Sequence, residues 1–171
     1  GAVFTVGHST LPIEHFTSLL HAYGIARLAD IRTVPRSRHN PQFNGDALGG
    51  VLKPEHVEYI SLPMLGGLRH ARRDSSNTGW RNKSFRGYAD YMQTEAFHEG
   101  IERLKVLASK QRTAIMCSEA VWWRCHRGLI SDVFKLNGTR VLHIMGPAAP
   151  AEHPYTSAAH VVDGPLNYSG D

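Results

Sequence analysis

The fold is decided by residues 3–31, VFTVGHSTLPIEHFTSLLHAYGIARLADI, near the start of the chain. The apolar run from Val3 to Val6 is typical of a buried strand, and Gly7 ends it. A helix is predicted next, because apolar residues recur at helical spacing: Phe16, Leu19, Leu20 and Tyr23. Residues 26–31 predict a second strand. A strand, a helix and a strand in this order form a βαβ unit, so the two strands should be parallel.

The rest of the chain repeats this alternation. Further strands are predicted at residues 57–62, 113–117 and 140–144, and helices at residues 46–52, 84–92, 94–109 and 125–136. The expected helix caps are Ser9 or Thr10, Asp46, Ser84 and Thr94. The pattern predicts an α/β fold, a three-layer sandwich with a mostly parallel central sheet, Rossmann-like in class.

Length and composition favour a single domain. The chain has 171 residues, of which 42% are hydrophobic, which is enough for one core. Residues 146–171 are rich in Pro, Ala and Gly and are expected to form a less regular C-terminal tail, with one short strand near Val161-Val162. The domain is therefore predicted to span residues 1–171.

The compartment is inferred from what the sequence lacks. Residues 1–6 are apolar but have no basic flank and no long apolar core, so they do not resemble a signal peptide. No run approaches the roughly 20 apolar residues of a membrane span. We therefore expect a cytoplasmic protein with no membrane partner.

The charge balance is basic. The formal net charge is +4, the isoelectric point is near 9.3, and eleven histidines add positive charge in mild acid. This favours an anionic partner, either a nucleotide or nucleic acid, with DNA preferred to RNA. The simpler interpretation is that a modest positive charge only aids solubility.

Three polar segments follow predicted strands. They are Gly7-His8-Ser9, Asp30-Ile31-Arg32 and Cys117-Ser118-Glu119. Ligands of parallel sheets bind beyond the carboxyl ends of the strands, so these segments should meet at one edge. Glu119, Asp30 and His8 are the candidate catalytic residues, since a carboxylate near cations at a strand end suits acid–base chemistry.

A second cluster contains both cysteines of the chain, Cys117 and Cys125, together with His126 and Arg127. The first three are candidates for thiol or metal chemistry. The paired spacing typical of zinc sites is absent, and the distance from Cys117 to Arg124 is one residue too long for a tyrosine-phosphatase loop. We therefore predict neither a metal nor a cofactor. A hydrolase centred on a carboxylate remains a third possibility for this cluster.

Basic and aromatic residues predict phosphate and base contacts. The candidates are Ser9, Arg32, Arg36, Arg38, Arg69, Trp122, Trp123 and Arg127. Arginines suit phosphate oxygens, a helix N-terminus near Arg127 favours anions, and tryptophans stack on exposed bases. The alternative is that the arginines lie on a solvated loop and the tryptophans fill the edge of the domain.

With these residues in view, the chain resembles the domain-of-unknown-function 488 family. The matching segments are Thr5-Val6-Gly7-His8-Ser9, Asp30-Ile31-Arg32 with Pro35 and Ser37, Leu65-Gly66-Gly67, Tyr88-Ala89-Asp90-Tyr91-Met92, and Met116-Cys117-Ser118-Glu119 with Cys125-His126-Arg127. The resemblance implies an α/β domain with its site at these strand ends, but little about the substrate. Residues 120–124 are bulkier and more aromatic than is usual for the family, which suggests a specialised substrate such as a stacked base.

Three functional hypotheses follow. The first is an enzyme that acts on nucleic acid or nucleotides, such as a DNA glycosylase-type hydrolase that cleaves an N-glycosidic bond with the help of Glu119 or Asp30. The second is a non-catalytic nucleic-acid-binding module, which would bind with a steep dependence on salt. The third is a thiol or metal protein that uses Cys117 and Cys125.

Overall fold

A computed structural model describes residues 1–161 and 163–170 of the chain. It contains a six-stranded sheet in the order β3-β2-β4-β1-β5-β6 and a small separate hairpin of β7 and β8. The strands are β1 (Ala2–Gly7), β2 (Arg27–Asp30), β3 (Glu58–Ser61), β4 (Thr113–Cys117), β5 (Arg140–Ile144), β6 (Ala151–Glu152), β7 (His160–Val161) and β8 (Leu166–Asn167). Within the six-stranded sheet, strands β1 to β5 are parallel and β6 pairs with β5 in the antiparallel direction, which confirms the mostly parallel sheet.

Five helices cover the two faces of the sheet. They are α1 (Ile13–Ala22), α2 (Gly45–Leu52), α3 (Lys83–Tyr91), α4 (Glu95–Lys110) and α5 (Arg127–Leu136). Phe4 and Val6 of β1 pack with α1 and α2, whereas Val3 of the same strand packs with α3, α4 and α5. Side chains of a strand alternate between faces, so one short strand contributes to both cores. The three-layer α/β sandwich is confirmed.

The described part of residues 146–171 forms the less regular C-terminal tail that was predicted. It contributes the short strands β6, β7 and β8 and is otherwise irregular. The strand expected near Val161-Val162 is present at Val161, in β7, while Val162 lies outside the described residues.

The predicted caps were right for α4 and wrong for the other helices. The Thr94 hydroxyl accepts the Phe97 amide, as expected. Helix α1 instead begins after Pro12 with no side-chain cap, because Ser9 adopts a left-handed conformation (φ 49°) and its amide donates to the Ser118 carbonyl. Ser9 therefore docks the β1 turn on the loop after β4 instead of capping a helix.

Helices α2 and α3 also begin at other residues than the predicted caps. Helix α2 begins at Gly45, and the Asp46 carboxylate accepts only the amide of the next residue, Ala47. Helix α3 is capped by Asn82, whose side chain accepts the amides of Ser84 and Phe85. In each case a nearby asparagine occupies the cap position that the sequence analysis gave to another residue.

The connections that follow β1 and β4 leave on opposite faces of the sheet. After β1 the chain turns to α1 on one face of the sheet, and after β4 it turns to α5 on the other face. The two strands are neighbours, and Gly7 pairs with Cys117 at their carboxyl ends. Open α/β sheets bind ligands beyond the carboxyl ends of strands whose connections diverge in this way. Here the Glu119 carbonyl packs directly on Gly7, and a cavity opens on the other side of β4, toward β2.

Within the described residues, no helix combines the length and apolarity that a membrane crossing requires.

We predict that Gly7→Ala destabilises the fold. A methyl group at Gly7 would overlap the backbone carbonyl of Glu119, which packs directly on this residue. A forced shift of backbone should lower the free energy of unfolding by about 2–3 kcal/mol. Urea denaturation should compare this variant with Gly50→Ala in α2, where nothing lies within 4 Å of the added methyl group.

The control variant should match or exceed the wild-type stability, because alanine favours a helix over glycine by about 1 kcal/mol. Equal stability of Gly7→Ala and Gly50→Ala would contradict the close packing of the β4 loop on β1.

Candidate functional site

A cavity of about 600 Å³ opens at the carboxyl ends of β2 and β4. It brings together segments that lie far apart in the sequence: the loop after β2, the connection before α3, the start of α3, and the loop between β4 and α5. The lining residues are Arg32, Thr33, Val34, Arg36, Ser37, Gly67, Leu68, Ser84, Phe85, Cys117, Ser118, Glu119, Arg124, Cys125 and His126. Six of the sequence-predicted site residues are among them: Arg32, Arg36, Cys117, Glu119, Cys125 and His126.

Arg32 is held in place by a buried carboxylate. Its guanidinium donates to both oxygens of Asp30, with Nε at 2.9 Å from Oδ1 and Nη2 at 2.7 Å from Oδ2, and Nη2 also donates to the Phe43 carbonyl at 2.7 Å. Tyr59 donates its hydroxyl to Asp30 at 2.6 Å. Burial lowers the pKa of Arg32, but the hydrogen bonds and charge of Asp30 outweigh it and raise this pKa overall.

Asp30 itself is fully buried and does not line the cavity. Burial and the adjacent Asp30 carboxylate also raise the pKa of Tyr59, so the phenol remains a donor to this carboxylate. The structure therefore presents Asp30 as the partner that orients Arg32.

His8 supports the same arginine from the other side. Its Nδ1 lies 2.8 Å from the Ser9 carbonyl and its Nε2 lies 3.4 Å from Nη1 of Arg32, while the ring stacks on Phe43. Nδ1 must donate to the carbonyl, so Nε2 accepts from Arg32. Burial lowers the pKa of His8, and the positive charge of Arg32 lowers it further. His8 is a neutral residue behind the cavity wall.

Arg127 is fully buried and holds the loop between β4 and α5 from behind. Nη1 donates to the Glu119 carbonyl at 2.6 Å and lies 2.7 Å from the Cys117 sulfur, and Nη2 donates to the Ala120 carbonyl at 3.2 Å. Burial lowers the pKa of Arg127 to about 10, and Glu119 partly offsets this effect. The guanidinium remains charged at neutral pH and fixes the loop that carries Glu119.

The two cysteines are paired. The sulfur atoms of Cys117 and Cys125 face each other as a disulfide pair, and both residues line the cavity. The amide of Arg127, at the N-terminus of α5, donates to the Cys125 sulfur at 3.4 Å. The pair therefore joins the end of β4 to the start of α5 at the wall of the cavity.

His126 lies next to this pair. Its Nε2 donates to the Ile31 carbonyl at 2.8 Å, and its Nδ1 lies 3.5 Å from the Cys125 sulfur. Gly67 packs on the imidazole so closely that a side chain at this position would overlap it. Burial is the main cause that lowers the pKa of His126 to about 4, so the ring is neutral at physiological pH.

Glu119 differs from Asp30 in its surroundings. Its side chain is exposed, and it is the one carboxylate among the described residues that line the cavity. Three cations line the same space: Arg32, Arg36 and Arg124. An accessible carboxylate among guanidinium groups is suited to acid–base or electrostatic work on an anionic ligand.

Six predicted ligand-binding residues are not among those that line this cavity: Ser9, Arg38, Arg69, Trp122, Trp123 and Arg127. Arg69 donates to the carbonyls of Gly66 and Met64 and stacks 3.6 Å from the centroid of the Tyr91 ring. Trp122 stacks on the His143 ring, whereas Trp123 and Arg38 are exposed. Of the arginines that the sequence predicted to contact phosphate, only Arg32 and Arg36 line the cavity.

A buried polar network that was not predicted from the sequence lies behind Arg127. Nε of Arg127 donates to the Thr5 hydroxyl at 3.2 Å, Thr5 contacts Nδ1 of His143, Nε2 of His143 lies 2.8 Å from Nδ1 of His153, and Nε2 of His153 lies 2.8 Å from Asp132. Asp132 also accepts from Thr156 and Tyr168. A threonine and a histidine inside otherwise apolar strands were the signals that could have indicated it.

The network has one consistent direction when both imidazoles are neutral. Arg127 can only donate and the Asp132 carboxylate can only accept, so each group between them donates onward to the next. Burial is the main cause that lowers the pKa of His143 to about 3, which keeps this ring neutral. The chain of hydrogen bonds thus joins a buried cation to a buried anion through the centre of the domain.

No metal cluster is formed by the part of the chain that the structure describes: it holds no group of three or more His, Cys, Asp or Glu side chains placed to bind an ion.

We predict a stability loss in acid that depends on His126. The folded-state pKa of about 4 lies below the ordinary 6.5, so the unfolded chain takes up this proton first as the pH falls. The free energy of unfolding should therefore fall between pH 6.5 and about 4, by up to about 1.4 kcal/mol per pH unit from this group. His126→Gln keeps a donor for Ile31 and cannot titrate, so its loss should be smaller.

Urea denaturation of both proteins from pH 7 to pH 4 measures the difference. His15→Gln, which changes an exposed histidine of α1, should retain the wild-type pH dependence. Identical pH profiles for wild type and His126→Gln would contradict a buried neutral imidazole at this position.

Comparison with known proteins yields one family. The family model described as domain of unknown function DUF488 matches residues 12–134, which include the cavity-lining segments but not the Thr5–Ser9 motif. No curated protein and no solved structure matches the chain. The matched range covers most of the 171 residues, so the chain belongs to the DUF488 family.

Proposed function

We propose that this protein is an enzyme that acts on a nucleotide or nucleic acid, and that it hydrolyses an N-glycosidic bond in the cavity beside Glu119. The observation that carries the proposal is the presence of one accessible carboxylate in a cavity whose other charged side chains are arginines. Such a cavity suits a substrate with a phosphate next to the reacting sugar.

One of the three arginines is held in place and the other two are exposed. Arg32 is held by Asp30 and Phe43, so its guanidinium is oriented before a ligand arrives. Arg36 and Arg124 are exposed and line the same space, where they are free to follow a phosphate backbone. A preoriented cation reduces the entropy that binding must overcome, and the exposed cations supply long-range attraction.

Glu119 is the proposed catalytic residue. Its carboxylate would activate water for attack on the sugar carbon, or stabilise the positive charge that develops on the sugar as the base leaves. The backbone carbonyl of Glu119 accepts a hydrogen bond from Arg127 and packs on Gly7, so the loop that presents the carboxylate is rigid. Asp30 and His8 then serve as positioning residues through Arg32.

The aromatic residue that lines the cavity is not one of the tryptophans predicted to stack on a base. The Trp122 ring is stacked face to face on His143 and does not line the cavity, whereas Phe85 is half-buried, contacts Trp80 edge-on and lines the cavity. Aromatic rings stack on bases without strong sequence preference. We therefore propose Phe85 as the stacking surface for the base beside Glu119.

We predict that Glu119→Gln abolishes base release and leaves binding largely intact, because glutamine keeps the shape of the side chain but not its charge. The assay is a screen of uracil-, hypoxanthine- and alkyl-base-containing oligonucleotides and of free nucleotides for released base. Glu99→Gln, on the exposed face of α4, is the matched control and should retain full activity. Unchanged turnover in Glu119→Gln would refute the catalytic assignment, and absence of release from every substrate would refute the reaction class.

We predict separately that Arg36→Ala and Arg124→Ala weaken nucleic-acid binding. Each should reduce the slope of log affinity against log salt by about 1, because each removes about one phosphate contact. Arg73→Ala changes an exposed arginine outside the cavity and should leave the slope unchanged. Fluorescence anisotropy of a labelled oligonucleotide at several salt concentrations measures these slopes, and equal effects of all three changes would contradict binding in the cavity.

A further inference from the structure

We propose that Cys117 and Cys125 form a redox-active disulfide that exchanges with small thiols carrying a carboxylate. This inference goes beyond the glycosidic activity and does not depend on it. It rests on three observations: the placement of the pair in the cavity wall, the cation on one of its sulfur atoms, and the charge of the cavity that gives access to it.

The pair is reachable from the cavity. Cys117 and Cys125 are both buried, at 2% and 5% exposure, and both line the space that Arg36 and Arg124 enter. The two cysteines are almost equally buried, so the choice between their sulfur atoms depends on which one is the better leaving group.

The Cys117 sulfur is the better leaving group of the two. Nη1 of Arg127 lies 2.7 Å from it, and this guanidinium is a buried positive charge. A nearby cation stabilises a thiolate and therefore improves a sulfur as a leaving group. The Cys125 sulfur receives a weaker stabilisation, from the Arg127 amide at the N-terminus of α5.

Arg127 is held in this position independently of the disulfide. Its Nε donates to Thr5, and the hydrogen-bonded chain through His143 and His153 to Asp132 fixes that hydroxyl. Its other nitrogens donate to the backbone carbonyls of residues 119 and 120. The guanidinium therefore remains beside Cys117 when the sulfur becomes a thiolate.

The cavity selects the charge of the thiol. Arg36 and Arg124 are exposed cations on its wall, against one carboxylate, Glu119. A thiol with a carboxylate would be attracted by these arginines, whereas a thiol with an ammonium group would be repelled.

The proposed exchange takes place in two steps. The substrate thiolate bonds to the Cys125 sulfur, the bond between Cys125 and Cys117 breaks, and its electron pair leaves on Cys117 as a thiolate beside Arg127. A second substrate thiolate attacks the substrate sulfur of this mixed disulfide, which releases the oxidised substrate disulfide and Cys125 as a thiolate. Two substrate thiols are oxidised, the protein disulfide is reduced by two electrons, and the protons of the two substrate thiols pass to solvent and to the protein thiols.

The first test compares two small thiols of the same length, 3-mercaptopropionate and cysteamine, on the complete oxidised chain without denaturant. Samples are quenched in acid and alkylated, mass spectrometry follows the loss of the protein disulfide, and rates are normalised to the thiolate concentration of each reagent. We expect 3-mercaptopropionate to react at least about tenfold faster, as two cations in a cavity steer an anion, and the advantage to vanish in Arg36→Ala/Arg124→Ala but not in Arg73→Ala. Resistance of the disulfide to both thiols, or equal normalised rates, would overturn the proposal.

The second test identifies the attacked sulfur. Wild-type protein is quenched in acid during the reaction and digested, and mass spectrometry locates the mixed disulfide, which requires no variant. We expect the adduct on Cys125, with Cys117 free. In Cys125→Ser, the remaining Cys117 should absorb at 240 nm as a thiolate at pH 7, and Arg127→Lys should move this absorbance to a different pH, with circular dichroism to verify folding.

An adduct found on Cys117, or a protonated Cys117 at pH 7 in folded Cys125→Ser, would contradict the assigned roles. The thiol assay contains no nucleic acid and the base-release assay contains no thiol, so either proposal fails without the other.

Discussion

The guanidinium of Arg127 is a positive charge with no exposure to solvent, and the site is organised around it. Burying a cation is costly unless its donors are satisfied, and here four acceptors surround it: Thr5, the Cys117 sulfur, and the carbonyls of Glu119 and Ala120. These acceptors come from β1, from the end of β4 and from the loop that follows. Because one side chain must reach all of them, the loop has little freedom to adopt another path.

The same requirement explains the polar residues inside the sheet. Thr5 and His143 lie at paired positions of β1 and β5, between apolar neighbours on both strands. They connect the cation to Asp132 on α5, so the negative charge that balances Arg127 is placed on the helix that Arg127 itself begins. A buried network of this kind specifies one packing of α5 on the sheet only when each of its members is satisfied.

Much of the fold could be predicted from local pattern, because the five parallel strands are short segments between turn signals and all five helices lie in segments predicted as helical. The strand-end rule also brought Arg32, Cys117 and Glu119 together correctly. It could not show which polar groups are already occupied, since that depends on long-range partners such as Tyr59 for Asp30 and His143 for Trp122. The pairing of Cys117 with Cys125 was also beyond the sequence, because eight residues of separation permit several loop paths.

The contrast between Asp30 and Glu119 shows how environment divides roles between two carboxylates at strand ends. Asp30 is fully buried and accepts hydrogen bonds from Arg32 and Tyr59, so its carboxylate pairs with one arginine of the cavity and orients it. Glu119 has its backbone fixed by Arg127 while its side chain remains exposed. Since the Arg32–Asp30 pair is close to neutral, the charge that a ligand meets is set by Arg36, Arg124 and Glu119. That remaining positive charge would attract both of the ligands that we propose, a phosphate and a thiol that carries a carboxylate, because both are anions.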